Sequence, residues 1–283
     1  MSPDSPTSLD AVSDAPAGPR AATPALVGCS HGTDDLAGRA VVRALLDDVR
    51  AARPDLDVRE AFVDVQQPEV ADVVTAVVAP SDGGAPGDAV VVPLLLSAGF
   101  HVSVDVAAAV EDRGPGTGAA AASGPLGPDP RLVDLLAERL TEAGLRDGDA
   151  VVIAAAGSSR PGAARDVETL AAGLRERVPS PVSVGYGAMA TPTVPDAVAA
   201  ARAGLAPGGR VVVAAYLLAP GFFYDRVLEA GADVVTGPLA PDPRLTAIVL
   251  DRYADAAAGL RATPRGPGAC AVRGGRRPPR AAP

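Results

Sequence analysis

Between residues 24 and 260, short apolar runs rich in valine and alanine alternate with longer stretches whose apolar positions recur at helical spacing. The short runs predict strands at Ala25–Ser30, Val58–Val63, Ala89–Leu95, Ala150–Ala155, Val182–Tyr186 and Val211–Leu217. The longer stretches predict helices over Asp34–Ala52, Pro68–Val78, Ser103–Glu111, Pro130–Ala143, Ala163–Val178, Val194–Ala203 and Arg244–Ala257. In the first helix Leu45, Leu46 and Val49 share one face, and Pro54 stands just past the end, where it prevents continuation. Strand and helix in alternation is the layout of an α/β protein with a parallel sheet covered on both faces.

The same pattern occurs twice. Residues 123–140, SGPLGPDPRLVDLLAERL, align with residues 236–253, TGPLAPDPRLTAIVLDRY, at an offset of 113. Upstream, His31-Gly32-Thr33 falls on Ala156-Gly157-Ser158 at an offset of 125, and Gly99-Phe100-His101 falls on Gly221-Phe222-Phe223 at an offset of 122. The shrinking offset places extra loop in the first copy, near Gly114–Ala122. The expected architecture is two similar flavodoxin-like parallel-sheet halves facing a cleft, residues 24–147 and 148–260, with the boundary near Gly148. Residues 1–23 and 261–283 are rich in Pro, Ala, Gly, Ser and Arg without apolar periodicity and are expected to be disordered tails.

All 25 basic residues are arginine and asparagine is absent, a skew that reads as codon bias and weakens any argument from propensity alone. Charge says more. The formal net is −9; residues 261–283 hold six arginines and no acid, and residues 1–23 one arginine against three aspartates, which leaves −13 on residues 24–260. A body that acidic is a poor binder of nucleic acid or of anionic membranes, and the arginine-rich RGGRRPPR tail reads as solvated chain. No apolar run approaches the roughly 18 residues of a membrane span, and the N-terminus lacks the basic start and apolar stretch of an export signal, so a cytoplasmic location is expected. Cys29 and Cys270, two cysteines far apart, suit neither a disulfide framework nor a cysteine-based zinc site.

The chain has two histidines, each just past a predicted strand of the first half: His31 after the first and His101 after the third. Past the second strand the first polar side chain is Asp64. In a parallel sheet the carboxyl ends of the strands lie on one edge, where such folds bind ligands, so His31, Asp64 and His101 are expected to share a site. Two imidazoles and a carboxylate suit a divalent first-row metal with open positions left for another ligand. A lone histidine is commonly a hydrogen-bonded structural residue, but the second copy keeps the glycine turns while carrying Ala156 and Phe223 in place of the histidines. The turns therefore fold without them.

Other motifs are weaker. Gly157-Ser158-Ser159-Arg160-Pro161-Gly162 opens a helix without phosphate-loop spacing, Ser30 beside His31 lacks a nucleophile elbow, and Cys29 among apolar strand residues is expected to be buried and inert. A metal-dependent hydrolase is a further class, but the chain has no H-E-x-x-H arrangement.

Three stretches carry a resemblance to a known family: Ser30-His31-Gly32; Phe62-Val63-Asp64-Val65-Gln66-Gln67-Pro68; and Val92-Pro93-Leu94-Leu95-Leu96-Ser97-Ala98-Gly99-Phe100-His101 with Asp105 beyond it. Over about residues 24–258 the chain resembles the class II tetrapyrrole chelatases, in particular the long, internally duplicated sirohydrochlorin ferrochelatases and cobaltochelatases. The resemblance implies a lyase that inserts Fe(II) or Co(II), as substrate and with no tightly bound cofactor, into sirohydrochlorin for siroheme or cobalamin. It implies His31 and His101 as catalytic and metal-handling residues, with Asp64 as a metal ligand where relatives usually carry Glu. The expected partners are the tetrapyrrole and the metal, in a monomer or homodimer. Leu94–Phe100 and Gly221–Tyr224 would wall the cleft, and Arg160, Arg165 and Arg226 are candidates to pair with substrate carboxylates. A chelatase-like metal carrier or tetrapyrrole-binding protein without catalysis is the alternative.

Overall fold

The computed structural model of the chain describes residues 23–80, 86–99 and 102–262. Both predicted tails, apart from their innermost residues, lie outside the described residues, as do Phe100 and His101. The first half runs β1 (Ala25–Ser30), α1 (Leu36–Ala52), β2 (Val58–Phe62), α2 (Val70–Val78) and β3 (Ala89–Pro93), then a π-helical turn over Val102–Val106 leading into α3 (Ala107–Ala109), β4 (Ala120–Ala122) and α4 (Pro130–Glu142). The second half runs β5 (Ala150–Ala155), α5 (Pro161–Arg175), β6 (Val182–Tyr186), α6 (Val194–Ala203), β7 (Val211–Tyr216), α7 (Phe222–Leu228), β8 (Val234–Val235) and α8 (Pro243–Ala262).

All strand pairings are parallel, in two four-stranded sheets of order β2-β1-β3-β4 and β6-β5-β7-β8. The fold is the expected α/β class with two like halves, and the strand order matches a flavodoxin-type doubly wound sheet. Two short edge strands, β4 and β8, and the seven-residue α7 add to the predicted elements.

Period-2 alternation within buried strands sorts side chains between two faces. Leu26, Val90 and Val92 of the first sheet, and Val151, Ile153, Val212, Ala214 and Tyr216 of the second, enter one large core that also takes the apolar stripes of α1, α4, α5 and α8. The opposite faces meet separate clusters, Val27, Cys29 and Val91 packing with α2 and α3, and Val152, Ala154 and Val213 packing with α6 and α7. The helices of the central core are therefore shared between the two sheets.

That sharing includes an exchange. Helix α4 ends the first half but packs on β7 and α5 of the second, whereas α8 ends the second half but packs on α1, β3 and β4 of the first. The two helices hold reciprocal ion pairs across the interface: Arg131 with Asp251 at 2.7 Å, and Arg244 with Glu138 at 2.7 Å. The repeat offset of 113 converts one pair into the other, as a pseudo-twofold axis requires. Each arginine also binds the aspartate that opens its helix, Asp129 or Asp242. At the far end, the Tyr253 hydroxyl of α8 donates to the Pro24 carbonyl at 2.6 Å and fastens α8 beneath β1.

Candidate functional site

The carboxyl ends of β1, β2, β3, β5 and β7 open into a cleft of about 650 Å³ lined by residues of both halves. This is the crevice that parallel-sheet topology predicts, and its size suits a sizeable small molecule. From the first half, His31, Thr33, Asp35, Arg39, Glu60 and Gln66 supply polar atoms. From the second half, Ala156, Leu217–Gly221 and Phe222, Phe223 and Tyr224 supply a largely apolar wall.

His31 follows β1 directly and is exposed to the cleft. The turn beyond it needs Gly32, whose φ of +91° is matched by +87° at Gly157 in the second copy, a conformation that glycine adopts without strain. The His31 carbonyl accepts from the Asp64 amide at 3.1 Å, so the loops after β1 and β2 are joined at their backbones. The Asp64 carboxylate is exposed and accepts from the Val65 amide at 2.8 Å; its neighbours Val65 and Gln66, rather than Asp64, line the cleft. Val65 has φ +58° and its repeat counterpart Met189 has φ +59°, left-handed conformations that are uncommon for these residue types and that cluster at functional edges. Gln66 secures the loop by accepting from the Thr33 amide at 2.9 Å.

His101, the third residue expected at the site, lies outside the described residues. The described residues before it, up to Gly99, are tied to both halves by hydrogen bonds. The Leu94 amide donates to the Cys29 carbonyl, the Ala98 amide donates to Asp166 of α5 at 2.8 Å, and the Leu96 carbonyl accepts from the Tyr216 hydroxyl at 2.8 Å. Burial pushes the Tyr216 hydroxyl well above the usual phenol range, with Asp166 and Asp129 adding to the effect, so it stays a neutral donor. Among the described residues, no three His, Cys, Asp or Glu side chains are grouped as a metal-binding set. Cys29 is buried, and desolvation, with a contribution from Asp105, pushes its thiol up to about 12. That fits the inert role expected from its sequence context.

The structure adds residues that the sequence reading passed over. Glu60 points from β2 into the cleft on the same face as Phe62 and pairs with Arg43 at 3.6 Å. Asp35 caps α1, accepting from the Gly38 amide at 2.6 Å, and Arg39 donates to the Thr33 carbonyl at 2.7 Å. The signal for Glu60 was an acid two positions before Phe62 in a strand, within a pattern that read simply as apolar. Of the three candidate arginines, Arg160 and Arg165 lie on or before α5 and do not line the cleft. Arg226 reaches it indirectly, 5.6 Å above the ring of the cleft-lining Phe222.

Comparison with known proteins fits this geometry. The CbiX family profile matches residues 25–143 and again 150–256, the two halves in turn. The chain belongs to the CbiX family. No curated protein sequence matches this CbiX-family chain. Among solved structures, SirB from Bacillus subtilis with Fe3+ superposes with a TM-score of 0.70 at 21% identity, covering 84% of this chain and 97% of that one. The sirohydrochlorin chelatase SirB from Bacillus subtilis subspecies spizizenii, in complex with cobalt, gives 0.67 at 20% identity, covering 84% and 96%. CbiX, described as the terminal enzyme for biosynthesis of siroheme in denitrifying bacteria, gives 0.56 at 20% identity, covering 82% and 99%. The expected kinship with class II chelatases in duplicated form therefore holds. Among the described residues of this CbiX-family chain, no helix is long and apolar enough to cross a membrane.

Proposed function

We propose that this chain inserts Fe(II) or Co(II) into sirohydrochlorin, on the route to siroheme or cobalamin. The observation that carries the reading is His31, exposed at the carboxyl end of β1 and facing a cleft between two CbiX-type halves whose opposite wall is apolar and aromatic. The reaction balances simply: a divalent ion enters the ring, two pyrrole N–H protons leave, and a neutral metal core results. An imidazole can hold the ion or accept a proton near neutral pH. In this reading His31 and His101 present the ion to the ring from the first-half side, one of them receives a pyrrole proton, and Asp64 balances charge beside them. Few protein ligands and open positions favour release of the ion over tight retention. Asp34, Asp35 and Glu60 give that end of the cleft a surplus of carboxylates, which attracts a cation.

The test is anaerobic incubation of the purified chain with sirohydrochlorin and either Co(II) or Fe(II), followed by absorbance. The expected result is metal insertion faster than the uncatalysed rate, falling at least about a hundredfold in His31→Ala and His101→Ala, the scale of a lost acid–base group. Variants that insert metal as fast as the parent would overturn the assignment. Tight metal or tetrapyrrole binding with no rate above background would favour the carrier reading. The ratio of rates with the two metals separates ferrochelatase from cobaltochelatase.

A further inference from the structure

The two walls of the cleft descend from one repeat but differ in chemistry. Each expected metal-handling position of the first half has an apolar counterpart in the second: His31 aligns with Ala156, Asp64 with Ala188 and His101 with Phe223. Ala156 and Phe223 line the same cavity as His31. The second wall is nevertheless well built. The Phe223 ring lies against Gly187, where an added Cβ would come within 2.9 Å of its Cδ1, so the glycine makes room for the ring. Phe222 and Phe223 meet edge to face with centroids 5.5 Å apart, and the Tyr224 hydroxyl anchors α7 by donating to the Thr236 carbonyl at 3.1 Å. Phe222 is nonetheless 67% exposed, an unusual state for an aromatic ring in a chain with only four phenylalanines.

Arg226 completes the arrangement. Its guanidinium lies 5.6 Å above the Phe222 ring, and no ion pair to Asp225 or Glu229, its neighbours in sequence, is formed among the described residues. Other arginines of the chain are committed to carboxylates, as Arg39, Arg43, Arg131 and Arg244 show. Stacking on the aromatic face holds the cation in place while leaving its hydrogen-bond donors open, a geometry suited to a carboxylate arriving from the cleft.

We infer that α7 is the macrocycle-positioning element: Phe222 and Phe223 support one face of a flat, carboxylated tetrapyrrole, and Arg226 binds one of its peripheral carboxylates. The inference rests on the chelatase reading for the identity of the ligand. It also answers an electrostatic problem, since residues 24–260 carry −13 and repel a polyanion at long range. A local, pre-oriented guanidinium on the apolar wall offsets that repulsion and keeps the substrate carboxylates away from the acids of the other wall.

The experiment compares the parent with Arg226→Gln, Arg226→Lys, Phe223→Ala and a distant charge control, Arg261→Gln at the end of α8. The readouts are steady-state insertion into sirohydrochlorin and absorbance titration with metal-free uroporphyrin, an octacarboxylate probe. Arg226→Gln is expected to raise both KM and the uroporphyrin Kd about five- to tenfold, with the loss in KM rather than kcat, as for one charge-assisted carboxylate contact. Arg226→Lys should recover part of that loss, Phe223→Ala should weaken binding similarly, and Arg261→Gln should match the parent. Equal KM and Kd for Arg226→Gln and the parent, or equal losses for Arg226→Gln and Arg261→Gln, would overturn the inference. Insertion that depends on His31 but is indifferent to Arg226→Gln removes the role of α7 and leaves the chelatase reading standing. Uroporphyrin binding that depends on Arg226, without insertion by the parent, does the reverse.

Discussion

Replacing Gly38 by alanine tests how tightly the halves meet beside the cleft. Gly38 is the third residue of α1, buried, with its amide bonded to the Asp35 carboxylate. A Cβ there would stand 2.6 Å from the Pro220 carbonyl oxygen of the second half and 3.1 Å from the Thr33 methyl group, whereas ordinary contact begins near 3.4 Å. Either α1 or the loop carrying Pro220 must retreat by about 0.8 Å. Overpacking of this kind costs roughly 1–3 kcal/mol, against up to about 1 kcal/mol that alanine gains over glycine in a helix. The net expectation is a loss of about 1–2 kcal/mol, or roughly 2–8 °C in Tm for a chain of this size. Gly259→Ala, the same chemical change in α8 where an added Cβ meets nothing within 4 Å, should instead raise Tm by roughly 2–4 °C. Calorimetry or circular-dichroism melts of the two variants decide the matter. If Gly38→Ala is stabilised as much as Gly259→Ala, the close approach of α1 to the Pro220 loop is wrong, and with it the width of the cleft.

The reciprocal pairs of α4 and α8 predict that Arg131→Ala and Arg244→Ala lose similar stability, about 1–3 kcal/mol each by urea denaturation, because each removes the two-bonded guanidinium from the aspartate that opens its helix, with Arg252 remaining 3.6 Å from Asp129; unequal losses differing by more than about 2 kcal/mol would break the pseudo-symmetry argument. Asp149 is held at about 2 by the Arg210 side chain and by the amides of Arg146 and Arg210, below its unfolded value near 3.9. Its contribution is therefore complete above pH 4 and lost as pH falls toward 2, so the urea midpoint of the parent should drop more steeply over that window than that of Asp149→Asn. A thiol reagent at pH 8 should leave Cys29 unmodified until the chain unfolds, since the side chain is 1% exposed; rapid native labelling, mapped by peptide mass, would contradict its placement.

Much of this fold was written in the chain's apolar rhythm. β1, β5, β6 and α6 begin and end where the pattern places them: β1 and β5, buried along their whole length, read as near-continuous apolar runs, while the half-buried β6 is marked off by Pro181 before it and Gly187 after it. β4 and β8 escaped because two or three residues carry no period, and their alanines and valines resemble any other stretch of this biased composition. Helix α7 was hidden for a related reason: Gly221-Phe222-Phe223-Tyr224 continues the apolar run of β7, and seven residues are too few to show a helical stripe. The site was legible through His31, whose place after β1 follows from topology alone. The direction of the Asp64 side chain was not legible, because in a tight loop it depends on backbone angles such as the positive φ of Val65, which residue type does not reveal. The exchange of α4 and α8 was invisible for a different reason, since an amphipathic stripe shows that a helix is buried but not which sheet buries it.

The crossed seating of α4 and α8 makes each repeat depend on the other for its roof. A polypeptide ended at Gly148 would retain a terminal helix with no second sheet to rest on, and would leave the first sheet bare where α8 belongs. Its cheapest remedy would be to lend that helix to an identical molecule and borrow one in return, so the single chain is built as such a pair with its two members joined end to end.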